Sequence, residues 1–161
     1  QRIVEPLGLD DTYVVSDAVA RPAPLQLWSC EAQLAIPDAL ASERGAGGIV
    51  STLADQLRFS RAFHDGELFH GGTRRAAPGW NRVQNFTLAY GYGMMRYRLP
   101  RWMTGRRLPE MFGHSGSTAS FLFYVPDLDC HLAGTFNQFA DPSRPFRLLP
   151  RVAGVVAADQ R

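Results

Sequence analysis

The chain has 161 residues, of which 45% are apolar and 20% charged. That is enough for one domain with a real core, and too apolar for a chain that stays disordered. The net charge of +2 argues against a dedicated nucleic-acid binder. All 17 basic residues are Arg, so no amine is present to act as general base or Schiff-base nitrogen, because Arg stays protonated.

The chain opens on Gln1-Arg2-Ile3-Val4-Glu5-Pro6, without Met or a signal-peptide pattern, and this start reads as the interior of a longer protein. The stretch from Arg2 to Leu9 predicts the end of a helix and then a turn, with Pro6 and Gly8 as breakers. Residues 14 to 45 read as a long excursion with little regular structure, carrying prolines at 22, 24 and 37. Gly45-Ala46-Gly47-Gly48 then leads to a helix. Thr52 is its expected N-cap, Asp55 at N3 completes a capping box with Asp in place of Glu, and Gly66 ends it. Leu53, Leu57, Ser60 and Phe63 share one face of this helix and are expected to bury. Residues 70 to 82 read as loop or a second short helix.

From Leu88 onward the texture is that of strands. Tyr90 to Tyr97 reads as a strand reached through a glycine-rich bend, Pro100 to Pro109 as a turn-rich link, and Met111 to Gly113 as the lead into His114-Ser115-Gly116. Ser120 to Val125 and Cys130 to Asn137 are strands joined by the turn Pro126-Asp127-Leu128-Asp129, antiparallel because the connection is short. A closing helix has Pro145 in its first turn and an expected apolar stripe of Leu148, Val152, Val155 and Val156, with Pro150 predicting a later start or a kink. The longest apolar stretch, Val152 to Ala158, is too short to span a bilayer. The predicted class is α+β, an antiparallel sheet covered by a C-terminal helix. Cys30 and Cys130 make no disulfide framework, and the free thiol is the commoner state.

Three segments carry a resemblance. Arg2-Ile3-Val4-Glu5-Pro6-Leu7-Gly8-Leu9-Asp10-Asp11-Thr12 resembles a "PLGM-x-D/N-T" segment. Ala46-Gly47-Gly48-Ile49-Val50-Ser51-Thr52-Leu53-Ala54-Asp55 resembles an "AGGL-x-ST-x-x-D" helix start. Phe112-Gly113-His114-Ser115-Gly116, the strand Phe121 to Pro126 and Asn137 resemble "GH-x-G", the following strand and a terminal "LTN". Their order and spacing are those of the serine β-lactamase-like hydrolases: class C β-lactamases, D-Ala-D-Ala peptidases, D-aminopeptidases and related esterases. The resemblance implies that residues 1–161 are the C-terminal portion of one β-lactamase/transpeptidase-like catalytic domain. Residues 1–85 would be the end of its helical region, and 86–161 its sheet strands and terminal helix.

The family uses a Ser-x-x-Lys nucleophile motif, a Tyr-x-Asn or Ser-x-Asn motif, and a Lys-Thr-Gly motif on a strand lining the cleft. Without Lys the first cannot occur here, and no Tyr is followed two residues later by Asn. Only the third has a counterpart, His114-Ser115-Gly116. The resemblance then implies roles. His114 offers a pH-dependent positive charge to a substrate carboxylate, Ser115 a hydroxyl for that carboxylate or a proton relay, and Gly116 a close backbone approach. The Ser117 N–H would be one of two oxyanion donors, and Asn137 a substrate contact. His in place of Lys leans away from a dedicated lactamase. The parent would be a serine hydrolase forming an acyl-enzyme from an amide or ester, with a carboxylate-bearing small molecule or peptide as substrate. The chain alone, lacking nucleophile and base, is expected to be inactive. The alternative is a non-catalytic binding or docking module on the same fold.

An N-terminal fragment or a second copy of the chain is the expected partner, because a lone C-terminal half leaves a sheet edge and a cleft wall uncovered. No cofactor is implied. His64, His70 and His131 lack ligand spacing, so no metal site is expected. The Arg-rich link from Arg96 to Arg107, with Tyr97 and Trp102, reads as a solvated connection and not as a nucleic-acid surface. A bacterial cell envelope or periplasm is compatible with the family; the sequence shows no targeting signal.

Overall fold

One buried carboxylate ties together the first two of the three resembling segments, 2–12 and 46–55. Asp55 is 7% exposed, and its Oδ2 accepts from the Asp11 N–H at 3.1 Å and the Thr12 hydroxyl at 2.8 Å. In the computed structural model, which describes residues 2–15, 25–34, 47–69, 79–80, 82–83, 85–105 and 107–160, this clamp lies beside a two-stranded pair. β1 (Tyr13–Val14) runs antiparallel to β4 (Ile49–Val50). Between them in sequence, β2 (Leu27–Ser29) and β3 (Ala32–Leu34) form a hairpin inside the expected irregular excursion. The rest of that excursion, His70 and most of 70 to 82 lie outside the described residues.

Helix α1 (Leu53–Asp65) begins and ends where its caps predict. Thr52 Oγ1 accepts from the Asp55 N–H at 3.2 Å, and Gly66 adopts φ 85°. The expected capping box is only half formed, because the Asp55 carboxylate turns to Asp11 and Thr12 instead of back to the cap. Of the face expected to bury, Ser60 is buried and Leu57 and Phe63 are half-buried, whereas Leu53 is 51% exposed; Asp55 and Ala62 are buried as well.

The main sheet has six antiparallel strands in the order β10-β9-β8-β7-β6-β5. They are β5 (Arg82–Val83), β6 (Leu88–Tyr90), β7 (Met95–Tyr97), β8 (Met111–Ser115), β9 (Ser120–Val125) and β10 (Cys130–Thr135). The strand expected after the glycine-rich bend is β7, and the bend joins it to β6 as a hairpin. Gly93 takes φ 67°, and the Gly91 N–H bonds Met94 O at 2.9 Å, which reverses the chain. The turn-rich link after β7 contains a short helix, α2 (Arg101–Thr104).

Residues opposite one another across these ladders share a face. On one face Met95, Tyr97, Met111, Phe121, Phe123 and Val125 are buried and packed by Leu149 and Ala153 of helix α3 (Arg144–Asp159). Tyr97 donates its hydroxyl to Phe146 O at 2.8 Å, and burial pushes the phenol pKa up. The other face carries Phe112, His114, Leu122, Tyr124 and His131, and α1 covers it.

Helix α3 departs from the expected stripe. It starts at Arg144 and runs through Pro150. Its buried residues are Pro145, Leu149 and Ala153, spaced four apart, whereas Leu148 is 38% and Val155 71% exposed. Small Ala153 lets the helix approach the sheet, and that row wins over the bulkier but rotated valines. Ahead of the helix, Asp141 accepts from the Ser143 hydroxyl at 2.6 Å and pairs with Arg147. The Ser143 hydrogen bond first, then Arg147, hold its carboxyl below the ordinary value. Cys30 and Cys130 are both free thiols.

Replacing Asp55 by Ala removes an acceptor that serves two donors, one of them a backbone N–H. The expected loss is about 1–3 kcal/mol of stability, read from urea denaturation. An unchanged midpoint would contradict the clamp.

Candidate active site

Strand β8 is flanked unevenly. Met111, Phe112 and Gly113 pair with β7, while Phe112 to Ser115 pair with β9. Because β7 begins at Met95 opposite Gly113, His114 and Ser115 are paired on the β9 side only among the described residues. The free edge of β8 is therefore confined to its last two residues, next to the Gly91–Met94 turn. An open edge of this kind presents N–H and C=O groups to an extended ligand.

His114 is exposed, and its Nδ1 lies 2.9 Å from Ser115 O. A carbonyl only accepts, so Nδ1 donates in this contact and Nε2 is the ring nitrogen left for another partner. The Tyr90 ring meets the imidazole edge-on at 6.1 Å. Strand alternation sends Ser115 to the opposite face, opposite Phe121. His114 and Ser115 can thus act on one ligand only across the open edge of β8, not from a shared face.

Past Ser115 the chain turns tightly into β9. The Gly116 N–H bonds Ser120 O at 2.8 Å and the Ala119 N–H bonds Gly116 O at 3.1 Å, with Ala119 at φ 57° and fully buried. A Cβ on Gly116 would sit 2.6 Å from Ser120 Oγ, so the glycine serves the turn itself as well as any ligand. Ser117 is exposed at the second position of this turn, and among the described residues its N–H has no acceptor.

Asn137 reaches the same end of the sheet through its neighbours. The Phe136 N–H bonds Ala119 O at 3.2 Å, and the Gln138 N–H bonds Thr118 O at 3.0 Å. Asn137 itself takes φ 51°, and its side chain accepts from the Thr135 hydroxyl at 2.8 Å. The β2–β3 hairpin braces the loop from outside. The Trp28 N–H bonds Asn137 O at 2.9 Å, and the Gln138 side chain takes both the N–H and the C=O of Cys30. All five motif residues, His114 to Ser117 and Asn137, are gathered at one end of the sheet.

Sequence reasoning missed a cluster on the α1 face. Buried Ser60 lies 2.8 Å from His131 Nδ1, and Tyr124 stacks on His131 at 4.5 Å and contacts His64 at 4.5 Å. The partners are separated by 71 residues, so no local spacing announces them. Burial, then the charge of Arg61, lowers the His131 pKa, with Asp129 and Asp65 opposing. Among the described residues, no three His, Cys, Asp or Glu side chains converge as a metal site. No helix there is long and apolar enough to cross a membrane.

The antiparallel sheet, the helix on each face and the His-Ser-Gly strand end define a β-lactamase/transpeptidase-like hydrolase fold. A model of the Beta-lactamase family matches residues 1–157, and the chain belongs to that family. A D-stereospecific amidohydrolase from Streptomyces sp. is similar at TM-score 0.66 and 24% identity, over 86% of this chain and 42% of its own. The D-amino acid amidase from Ochrobactrum anthropi SV3 complexed with L-phenylalanine amide gives TM-score 0.74 at 19% identity, over 99% and 50%. Its complex with D-phenylalanine gives 0.66 at 22%, over 92% and 51%. At such identities the likeness concerns the fold alone. The chain spans about half the length of these solved structures. No curated protein sequence matches it.

Because the His131 pKa is lowered on folding, the unfolded chain binds more protons below the ordinary value of 6.5. Stability then falls as pH drops through that value toward the folded pKa. His131→Asn should flatten this loss. Thermal midpoints of both proteins between about pH 7.5 and pH 5 test it, and parallel curves would contradict the lowered pKa of this half-buried imidazole.

Proposed function

We propose that this chain forms one wall of the active site of a serine hydrolase that cleaves an amide or ester through an acyl-enzyme. The observation that carries the reading is the open end of β8, where an unpaired strand edge, the His114 Nε2 and the Ser117 N–H without an acceptor stand together. The edge aligns the substrate main chain, and His114 faces its carboxylate or leaving group. Ser117 supplies one oxyanion donor, a contribution of about 3 kcal/mol to transition-state stability. Asn137 contacts the substrate from the loop after β10. Membership of the Beta-lactamase family supports acyl transfer. Two of the similar solved proteins are a D-stereospecific amidohydrolase and a D-amino acid amidase, which favours an amide of a D-amino acid.

The nucleophile and its base come from outside these residues, since the chain holds no Lys for a Ser-x-x-Lys pair. The chain is thereby the C-terminal portion of one catalytic domain, with 86–161 giving the site and 1–85 its flank. Strand β10 pairs only with β9 among the described residues, so its outer edge is open to an N-terminal segment or a second copy.

Ser117 occupies the second position of a turn, where Pro is well tolerated. Ser117→Pro therefore deletes the N–H and little else. In a protein that also carries the Ser-x-x-Lys segment, it should lower kcat by about 10²–10³-fold, while Ser117→Ala stays near wild type. Equal rates for the two variants on D-phenylalanine p-nitroanilide would overturn the oxyanion role.

A further inference from the structure

Between α1 and the sheet lies an open crevice of about 120 Å³, lined by Phe59, Ser60, Phe63 and His64 of the helix, by Met94 and Leu122, and by His114. Its walls are braced. Phe63 packs on Phe59 at 5.9 Å and edge-on against Phe69 at 5.0 Å, so the space exists before any ligand enters. An apolar cavity of about 150 Å³ stays dry and admits benzene, and this crevice is of that order. Phe59, Phe63, Met94 and Leu122 give it apolar walls, while its polar groups Ser60 and His64 already contact His131 and Tyr124.

Its position relates it to the open end of β8. A main chain laid along that edge sends alternate side chains to opposite faces of the sheet. The face that holds His114 and Leu122 is the face on which the crevice opens. We infer that the crevice is a specificity subsite that receives one apolar, ring-sized side chain of the substrate. The inference rests on the amide or ester reading of the site. Within it, Phe59, Phe63, Met94 and Leu122 select the side chain, and the β8 edge holds the main chain.

The test is a nuclear magnetic resonance titration of the full 161-residue chain with D-phenylalanine amide and with D-alanine amide. It follows the Met94 and Leu122 methyls and the His114 ring proton. The phenyl compound should shift all three and bind at least about 10-fold tighter than the methyl compound. Met94→Trp, which fills the crevice, should remove the Leu122 shift and the tenfold preference. Phe59→Ala, which widens it, should raise the affinity for D-tryptophan amide and serves if the first variant does not fold. Shifts at His114 alone, equal for both amides, would overturn the subsite and leave the site reading standing. No shift at His114 or at the methyls with either amide would overturn both.

Discussion

The backbone carbonyls of Thr118 and Ala119 hold the functional end of the molecule together. They lie in a four-residue turn that sends β8 into β9, and each accepts an N–H from the loop after β10. That loop is gripped in turn by Trp28 and Cys30 of a hairpin more than a hundred residues earlier. Ala119 has to be fully buried and left-handed for its carbonyl to reach Phe136. If this turn were loosened, Ser117 and Asn137 would separate, and the last two residues of β8 would lose the β9 partner that leaves only their other edge open. This end of the sheet is therefore built from main-chain hydrogen bonds, with the side chains of the motif carried on them.

Much of the fold was legible because it follows from short-range rules. Thr52 and Gly66 cap α1 as Ser/Thr and Gly do wherever a helix needs its end groups satisfied, and the alternation in Ser120 to Val125 marks a half-buried strand. The places where the reading failed are those where a distant partner decides. Asp55 looked like a local cap, and instead serves Asp11 and Thr12. The register of α3 is set by which row fits the sheet, and small Ala153 with Leu149 fits better than the valines. At the site, the motif residues could be named in advance, but the open edge of β8 depends on where β7 stops. The crevice depends on α1 crossing the same face. Neither is written in local spacing.

The absence of Lys gives His114 a different character from the residue it replaces in the family pattern. A lysine would offer a fixed positive charge. The imidazole instead holds its Nδ1 proton against Ser115 O and keeps Nε2 for the ligand. The alternation of β8 adds a constraint, because Ser115 cannot share the face of His114. Any substrate that engages both must lie along the edge of the strand and not above one of its faces.

The central claim is that these residues place substrate but make no bond to it. Intact-mass spectrometry of the purified chain after incubation with excess p-nitrophenyl acetate tests this most directly. The chain should keep an unmodified mass and release no p-nitrophenol above the buffer rate. A stoichiometric acetyl adduct on a serine of this chain, lost in His114→Ala, would contradict it.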